Sequence, residues 1–277
     1  MNFVSANPTG LCFGVRRAIE RLEAALKEYG KVYSFGSPIH NPQEVARLSS
    51  LGLVVMDDLR CIPEGCVVFV RAHGIARSEL TELENRCGAV VDGTCPFVRT
   101  AQNRAESLSA EGYKVVILGN SEHPEVKGIV GFIGGEPLVI NSASEIDRGR
   151  RYGKIGILSQ TTQKEETLAK VVSKFVFLSE DIKVYNTVCR ATIEHREAVK
   201  KLASSVGVLL VIGGKNSANT RELFEIAEST GVLSLWVEHA GEVDWRWLKG
   251  RGTVGVAAGA STPDWLINEL TCKLKRL

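Results

Sequence analysis

Residues 89–111 read AVVDGTCPFVRTAQNRAESLSAE and contain the pattern on which the predicted fold depends. The first four residues are an apolar run typical of a buried strand, and the residues after Cys95 have the spacing of an amphipathic helix. Cys95 is therefore predicted to lie where a strand gives way to a helix. Cys12 and Cys189 have the same kind of surroundings, so the chain is predicted to repeat one strand–loop–helix unit three times.

A constant interval supports this repeat. A polar residue lies 28 positions after each of the three cysteines, in a loop that follows a predicted strand: His40, His123 and Ser217. Each unit continues with a helix, a strand and an acidic turn, and its third strand leads to a further polar loop, which contains His73, Thr161 or Ser261. Strands that alternate with helices in this way indicate parallel sheets, whose carboxyl ends bind ligands in α/β proteins.

The repeat predicts an α/β fold with three similar α/β domains and mainly parallel sheets, arranged around a pseudo-threefold axis. The predicted domains are residues 13–95, 96–188 and 189–277. The third unit lacks a final strand, so the N-terminal segment 1–12 is expected to complete it with a strand over Asn2–Ala6. One cysteine from each domain would then lie near the axis.

Composition excludes several classes of protein. The 277 residues include 34 Lys and Arg against 32 Asp and Glu, which gives a net charge of +2. A charge this small does not indicate binding to nucleic acid or to an anionic membrane. The longest apolar runs have strand length, far short of a membrane span, and the first residues lack the pattern of a signal peptide. The chain is predicted to be a cytoplasmic protein.

The seven cysteines, without an export signal, argue against a disulfide framework. Four of them are predicted to pack as small apolar side chains: Cys61, Cys66, Cys87 and Cys272. The other three, Cys12, Cys95 and Cys189, precede predicted helices, whose N-termini favour the thiolate form. Three converging thiolates suit zinc with a fourth ligand, or a cubane iron–sulfur cluster with one iron open to substrate.

The polar loops offer neutral or weakly cationic donors at predicted helix starts, which suit a phosphate or diphosphate. These donors are His40, His73, His123, Ser217, Asn219 and Ser261. Glu125 is either a first-turn carboxylate that stabilises its helix or a proton donor whose pKa is raised near a ligand. Thr161 is either a helix cap or a hydroxyl that relays a proton. His195 and His239 are predicted to be structural or exposed.

Eight segments carry a resemblance to a known family. They are ANPTGLCFGVRRAI (6–19), AHG (72–74), DGTCP (92–96), EHPEV (122–126), SQTT (159–162), REAV after Cys189, GGKNSANT (213–220) and GAS (259–261). In this order they resemble the 4-hydroxy-3-methylbut-2-enyl diphosphate reductase family, of the LytB/IspH type. The likeness runs from residue 1 to residue 277.

The resemblance implies an iron–sulfur oxidoreductase with a central cluster held by Cys12, Cys95 and Cys189. The cluster is expected to be 4Fe-4S, or 3Fe-4S after loss of the labile iron. The implied reaction removes the hydroxyl of 4-hydroxy-3-methylbut-2-enyl diphosphate, bound at the open iron, and yields isopentenyl and dimethylallyl diphosphate. This is the last step of the non-mevalonate (methylerythritol phosphate) isoprenoid pathway.

The same resemblance assigns roles and partners. Glu125 is expected to supply the proton and Thr161 to orient the substrate hydroxyl. The diphosphate is expected to contact His40, His73, His123, Ser217, Asn219 and Ser261. A ferredoxin or flavodoxin is the expected electron donor, and the protein is expected to be a monomer or a homodimer. Ala218 departs from the family, which often has a second serine there, so diphosphate affinity is the property that this position is expected to affect.

Two other functions use the same residues. A zinc-dependent hydrolase of a phosphorylated metabolite would use Glu125 to activate a metal-bound water. A non-catalytic phosphometabolite-binding protein would use the polar loops and leave the cysteines in the core.

Overall fold

A computed structural model of the chain describes residues 2–248 and 250–276. Within them, the strands are β1 (Phe3–Ser5), β2 (Val32–Phe35), β3 (Leu53–Met56), β4 (Val67–Val70), β5 (Ala89–Asp92), β6 (Lys114–Leu118), β7 (Leu138–Ile140), β8 (Tyr152–Ser159), β9 (Ser179–Val184), β10 (Val208–Ile212), β11 (Leu233–Val237) and β12 (Val254–Ala258). The α-helices are α1 (Phe13–Tyr29), α2 (Pro42–Ser50), α3 (Arg77–Arg86), α4 (Pro96–Ala110), α5 (Pro124–Val130), α6 (Glu165–Val176), α7 (Arg190–Ala203), α8 (Ala218–Ser229) and α9 (Asp264–Lys275).

The strands form three parallel sheets of four strands each, and the three sheets share one strand order. The orders are β3-β2-β4-β5, β7-β6-β8-β9 and β11-β10-β12-β1. In the third sheet β1 takes the edge position that β5 and β9 take in the others, and its Phe3 pairs with Val254 in parallel register. The predicted α/β fold with parallel sheets is confirmed.

One compact unit contains residues 1–19, 37–53 and 190–277. Its central strand β10 has the sequence VLLVI and is buried on both faces. Leu210 packs in a cluster with side chains of α9, whereas its neighbour Leu209 packs with side chains of α7 and α8 on the opposite face. A continuous apolar run is what a parallel strand needs when helices cover both sides of its sheet.

The other compact unit contains residues 20–36 and 54–189 and holds the two remaining sheets. Strand β6 repeats the pattern of β10. Val116 packs with side chains of α6, and Ile117 packs with side chains of α4 on the opposite face. Because successive side chains of a strand point to opposite faces of the sheet, an unbroken apolar run makes both faces of this strand apolar.

Each copy of the repeat has a short 3-10 turn where an acidic turn was predicted. The turns are Leu59–Cys61, Ala143–Glu145 and Ala240–Glu242. The third strand follows each turn and ends in the loop that contains His73, Thr161 or Ser261. The fold therefore places these polar loops at the carboxyl ends of parallel strands, where the sequence predicted them.

The domain boundaries proposed for residues 13–95, 96–188 and 189–277 stay predictions, as does the pseudo-threefold arrangement. In residues 2–248 and 250–276, no helix combines the length and the apolar character that crossing a membrane requires.

Candidate active site

The three repeated cysteines each stand directly before a helix, which confirms the predicted strand-to-helix position. Cys12 precedes α1, Cys95 precedes α4, and Cys189 precedes α7. All three are half-buried, and none of them forms a disulfide. The unsatisfied amides and the dipole at a helix N-terminus stabilise a thiolate, which is the form that binds metal.

A backbone hydrogen bond recurs at all three cysteines. The amide of each donates to a carbonyl oxygen in the loop after a third strand, at Ala260 from Cys12 (3.2 Å), at Ala72 from Cys95 (3.0 Å) and at Thr161 from Cys189 (2.7 Å). The backbone of each cysteine is therefore held beside a loop that also carries a polar residue predicted to belong to the site.

Glu125 and Thr161 form a buried pair. Glu125 is 2% exposed in the first turn of α5, and Thr161 is 6% exposed in the loop after β8. The Thr161 amide donates to Oε1 of Glu125 at 2.6 Å, and the Thr161 hydroxyl donates to Oε2 at 2.9 Å. Both carboxylate oxygens therefore have a partner.

Burial dominates the electrostatics of this pair. Loss of water around the carboxylate raises the pKa of Glu125 from 4.5 to about 7, although the two hydrogen bonds from Thr161 act in the opposite direction. A carboxylic acid with a pKa near neutrality can hold a proton and release it, which is the property that a general acid needs.

His123 and His73 lie beside each other in the same unit. Their ring centroids are 5.4 Å apart and the rings are nearly perpendicular, at 80°. His123 caps α5, and its Nδ1 accepts a hydrogen bond from the Glu125 amide at 3.2 Å. Because Nδ1 is an acceptor, the neutral ring carries its proton on Nε2, where it can be donated to a ligand.

In the unit that contains residues 37–53 and 190–277, three further polar residues are brought together. Ser261 Oγ lies 3.2 Å from Ser217 Oγ and 3.4 Å from the carbonyl oxygen of His40. Ser217 is the N-cap of α8, and its hydroxyl accepts from the Thr220 amide at 3.2 Å. The helix start after Ser217 adds further amide donors at this place.

The two polar atoms of the Asn219 side chain differ in their hydrogen bonding. Its Oδ1 accepts from the Ala260 amide at 2.9 Å, whereas its Nδ2 is buried and has no hydrogen-bond partner among the residues that the structure describes. A buried donor without a partner is costly, so this amide group fits an anionic ligand that accepts from it. Ala218, the first residue of α8, is exposed.

A family model described as LytB protein matches residues 3–275. The chain belongs to the LytB protein family. Its relatives include the 4-hydroxy-3-methylbut-2-enyl diphosphate reductase of Geotalea uraniireducens, which is 40% identical over 277 residues, with 100% of this chain and 98% of the relative covered. The reductase of the same name from Aquifex aeolicus is 39% identical, with 100% of this chain and 97% of the relative covered.

Two solved structures have a similar fold. A structure of (E)-4-hydroxy-3-methyl-but-2-enyl diphosphate reductase, the terminal enzyme of the non-mevalonate pathway, has a TM-score of 0.79 and 39% identity and covers 100% of both chains. The structure of E-1-hydroxy-2-methyl-but-2-enyl-4-diphosphate reductase from Plasmodium falciparum has a TM-score of 0.85, covering 100% of this chain and 88% of that one. At 23% identity, it shows likeness of fold.

Some expectations for this LytB-family chain are corrected. Thr161 is not a helix cap, because Lys164 occupies the N-cap position of α6. Cys61, the last residue of its 3-10 turn, and Cys272, within α9, are exposed and do not pack in a core. Cys66 and Cys87 are half-buried and pack against an apolar cluster, with their sulfurs 3.8 Å apart.

The two remaining histidines of this LytB-family chain have structural contacts. His195 is buried, with ring nitrogens 2.7 Å from the Ala191 carbonyl and 3.0 Å from the Gly10 carbonyl. His239 caps a 3-10 turn through a hydrogen bond from the Gly241 amide. These contacts agree with the prediction that the two histidines are structural or exposed.

The sequence did not reveal a buried carboxylate beside one of the polar loops. Glu44, in the first turn of α2, is 1% exposed and contacts Trp265 of α9. The signal available in the sequence was its position four residues after His40, at the start of a helix. That position alone is typical of an exposed first-turn acid, so only the fold distinguishes it.

Proposed function

We propose that this chain is a 4-hydroxy-3-methylbut-2-enyl diphosphate reductase, which removes the substrate hydroxyl to yield isopentenyl and dimethylallyl diphosphate. The buried Glu125–Thr161 pair is the observation that carries the proposal, because it supplies an acid with a pKa of about 7 where a hydroxyl has to leave as water. Family membership and full-length likeness to reductases of that name support it.

The overall reaction balances as a two-electron reduction. The C–O bond of the allylic alcohol breaks, two electrons enter the allylic fragment, one proton goes to the departing oxygen and one goes to carbon. Glu125, in its protonated form, gives its proton to the departing oxygen. Thr161 holds both oxygens of the acid in place and orients the substrate hydroxyl toward it.

The cofactor in this proposal is an iron–sulfur cluster of the 4Fe-4S type, held by Cys12, Cys95 and Cys189. The residues fit such a group, because all three are half-buried thiols at helix N-termini and none of them forms a disulfide. When bound, the cluster would supply electrons to the substrate and a Lewis-acidic iron that has no thiolate ligand. Loss of that iron would leave a 3Fe-4S cluster.

The diphosphate in this proposal is bound by residues of the polar loops: His40, His73, His123, Ser217, Asn219 and Ser261. The buried Nδ2 of Asn219 supports this role, because it has no hydrogen-bond partner among the described residues and offers hydrogens to an anion. Binding the diphosphate, which is remote from the reacting carbon, uses binding energy to orient the hydroxyl.

We also propose the electron donor and the domain arrangement of this protein. A low-potential ferredoxin or flavodoxin would deliver the electrons in the cytoplasm. Three α/β domains, of residues 13–95, 96–188 and 189–277 with segment 1–12, would surround the cluster.

The test is an iron, sulfide and zinc analysis of anaerobically purified protein, combined with turnover of the allylic diphosphate using dithionite-reduced methyl viologen. We expect brown protein that contains iron and sulfide and forms both products. Protein that contains zinc and releases phosphate would instead be a hydrolase. Colourless protein that binds the substrate, cannot be reconstituted and does not turn over would be a binding protein.

A further inference from the structure

Glu44 is a buried acidic residue whose side chain accepts hydrogen bonds from Arg47 and Trp265. Its side chain is 1% exposed in the first turn of α2. Arg47, one turn later on the same helix, donates to both carboxylate oxygens, with Nη2 2.6 Å from Oε1 and Nε 2.9 Å from Oε2. A bidentate arginine offsets the cost of burying this carboxylate.

The second partner residue comes from a distant part of the sequence. The indole Nε1 of Trp265, the second residue of α9, donates to Oε2 of Glu44 at 2.7 Å. The two residues are 221 positions apart but belong to the same compact unit. This hydrogen bond therefore joins the start of α2 to the start of α9.

Both of these helix starts follow loops of the proposed diphosphate site. His40 precedes Glu44 by four residues, and Ser261 precedes Trp265 by four residues. The Ser261 hydroxyl lies 3.4 Å from the carbonyl oxygen of His40, so the two loops are also in contact at the site itself. The spacing between the loops is thus fixed at two points, one at the site and one a helical turn behind it.

A third loop, which leads from β10 to Ser217, also lies close to the His40 loop. A Cβ atom on Gly214 would lie 2.6 Å from the carbonyl oxygen of His40, which is too close for a side chain, so the position requires glycine. The loop that leads to Ser217 therefore also packs against the His40 backbone. A small shift of the His40 loop would change the positions of several proposed ligand donors together.

We propose that Glu44 and Trp265 are positioning residues that set the spacing between the His40 loop and the Ser261 loop for binding of the diphosphate group. Neither residue is proposed to touch the substrate. The role rests on the proposed function. In this role, the hydrogen bond from the Trp265 indole to the Glu44 carboxylate governs the affinity for diphosphate. Turnover of bound substrate depends instead on Glu125 and Thr161.

Trp265→Phe tests this role with little disturbance, because it removes the indole N–H, keeps an aromatic ring and leaves Glu44 paired with Arg47. In the anaerobically reconstituted holoenzyme we expect KM for the allylic diphosphate to rise about tenfold, as loss of a hydrogen bond to a charged group allows, with kcat within about twofold. The dissociation constant of inorganic diphosphate, measured by calorimetry, should rise by a similar factor.

Trp245→Phe is the matched control. Trp245 belongs to the same unit, packs against its apolar core and lies outside the sequence segments that carry His40, Ser217 and Ser261, so this change removes an indole N–H from a residue that is not part of the proposed site. It should leave KM, the diphosphate dissociation constant and cluster absorption unchanged.

Glu44 variants provide a second test. Glu44→Gln keeps an acceptor for the indole and should retain a KM near that of the wild type, whereas Glu44→Leu should raise KM as Trp265→Phe does. Combining Glu44→Leu with Trp265→Phe should add little further, because both remove the same bond. If Glu44→Leu does not fold, Trp265→Phe and its control still decide the matter.

The proposal is overturned if Trp265→Phe lowers thermal stability while KM and diphosphate affinity stay at wild-type values, or if the two single changes multiply in the double variant. A wild-type protein that binds inorganic diphosphate but does not reduce the allylic substrate would overturn the proposed function. In that case the calorimetric comparison would still test the role of Glu44 and Trp265.

Discussion

Thr161 holds the carboxylate of Glu125 at both oxygens, with its amide 2.6 Å from Oε1 and its hydroxyl 2.9 Å from Oε2. Glu125 lies in the first turn of α5 and Thr161 in the loop after β8, 36 positions apart, and both are buried. Burial raises the pKa of Glu125 to about 7, while the Thr161 donors limit that rise. The chemistry of the acid is therefore set by the balance between desolvation and these two bonds.

Glu125→Gln should abolish most turnover without loss of the cofactor. The amide has the shape of the acid but cannot donate a catalytic proton, so kcat should fall by about 100-fold or more. The measurements are steady-state kinetics and the iron content of reconstituted protein. Glu122→Gln is the control, because Glu122 lies in the same segment with its side chain 80% exposed. Wild-type activity in Glu125→Gln would rule out the assigned proton donor.

Thr161→Val should shift the pH dependence of the reaction. It removes the hydroxyl that stabilises the ionised carboxylate, so the pKa of Glu125 should rise further above its value of about 7. Because a general acid is active when protonated, the alkaline limb of kcat/KM should move to higher pH. Thr161→Ser keeps the hydroxyl and should leave the limb in place. A limb that moves to lower pH in Thr161→Val would contradict the assigned hydrogen bond.

Glu125 should also make stability depend on pH. Its pKa is about 7 in the folded protein against an ordinary value of 4.5, so its contribution to stability is fully present below about pH 4.5 and is lost as pH rises through about 7. This difference corresponds to about 3 kcal/mol at most. Glu125→Gln does not titrate, so its Tm relative to wild type should increase between about pH 5 and about pH 8. A Tm difference that is constant over this range would show that the carboxyl is not perturbed.

Asn219→Asp should weaken substrate binding. The change retains the oxygen that accepts from the Ala260 amide, but it replaces the buried Nδ2 donor with a second, negatively charged oxygen. A diphosphate would meet repulsion in place of a hydrogen bond, so KM should rise by at least about tenfold, with a smaller change in kcat. Asn268→Asp makes the same chemical change at an exposed position of α9 and should leave KM unaltered. An unchanged KM in Asn219→Asp would remove Asn219 from the proposed site.

The sequence by itself determined the repeated strand–loop–helix unit, the parallel α/β fold and the place of Cys12, Cys95 and Cys189 at helix starts. These features depend on local periodicity and on the alternation of side chains across strands, both of which are visible in neighbouring residues. The interval of 28 residues ends at comparable places for the same reason, since His123 and Ser217 are N-caps and His40 directly precedes one.

Only the tertiary structure decided which polar residues share a buried environment. From the sequence, Glu125 was equally an ordinary first-turn acid, and Thr161 equally a cap, because neither burial nor a partner 36 positions away can be deduced from local pattern. The bond between Glu44 and Trp265 spans 221 positions and left no local signal. Desolvation and hydrogen bonding depend on what surrounds a group in three dimensions, so the fold alone determines the acidity of Glu125 and the burial of Glu44.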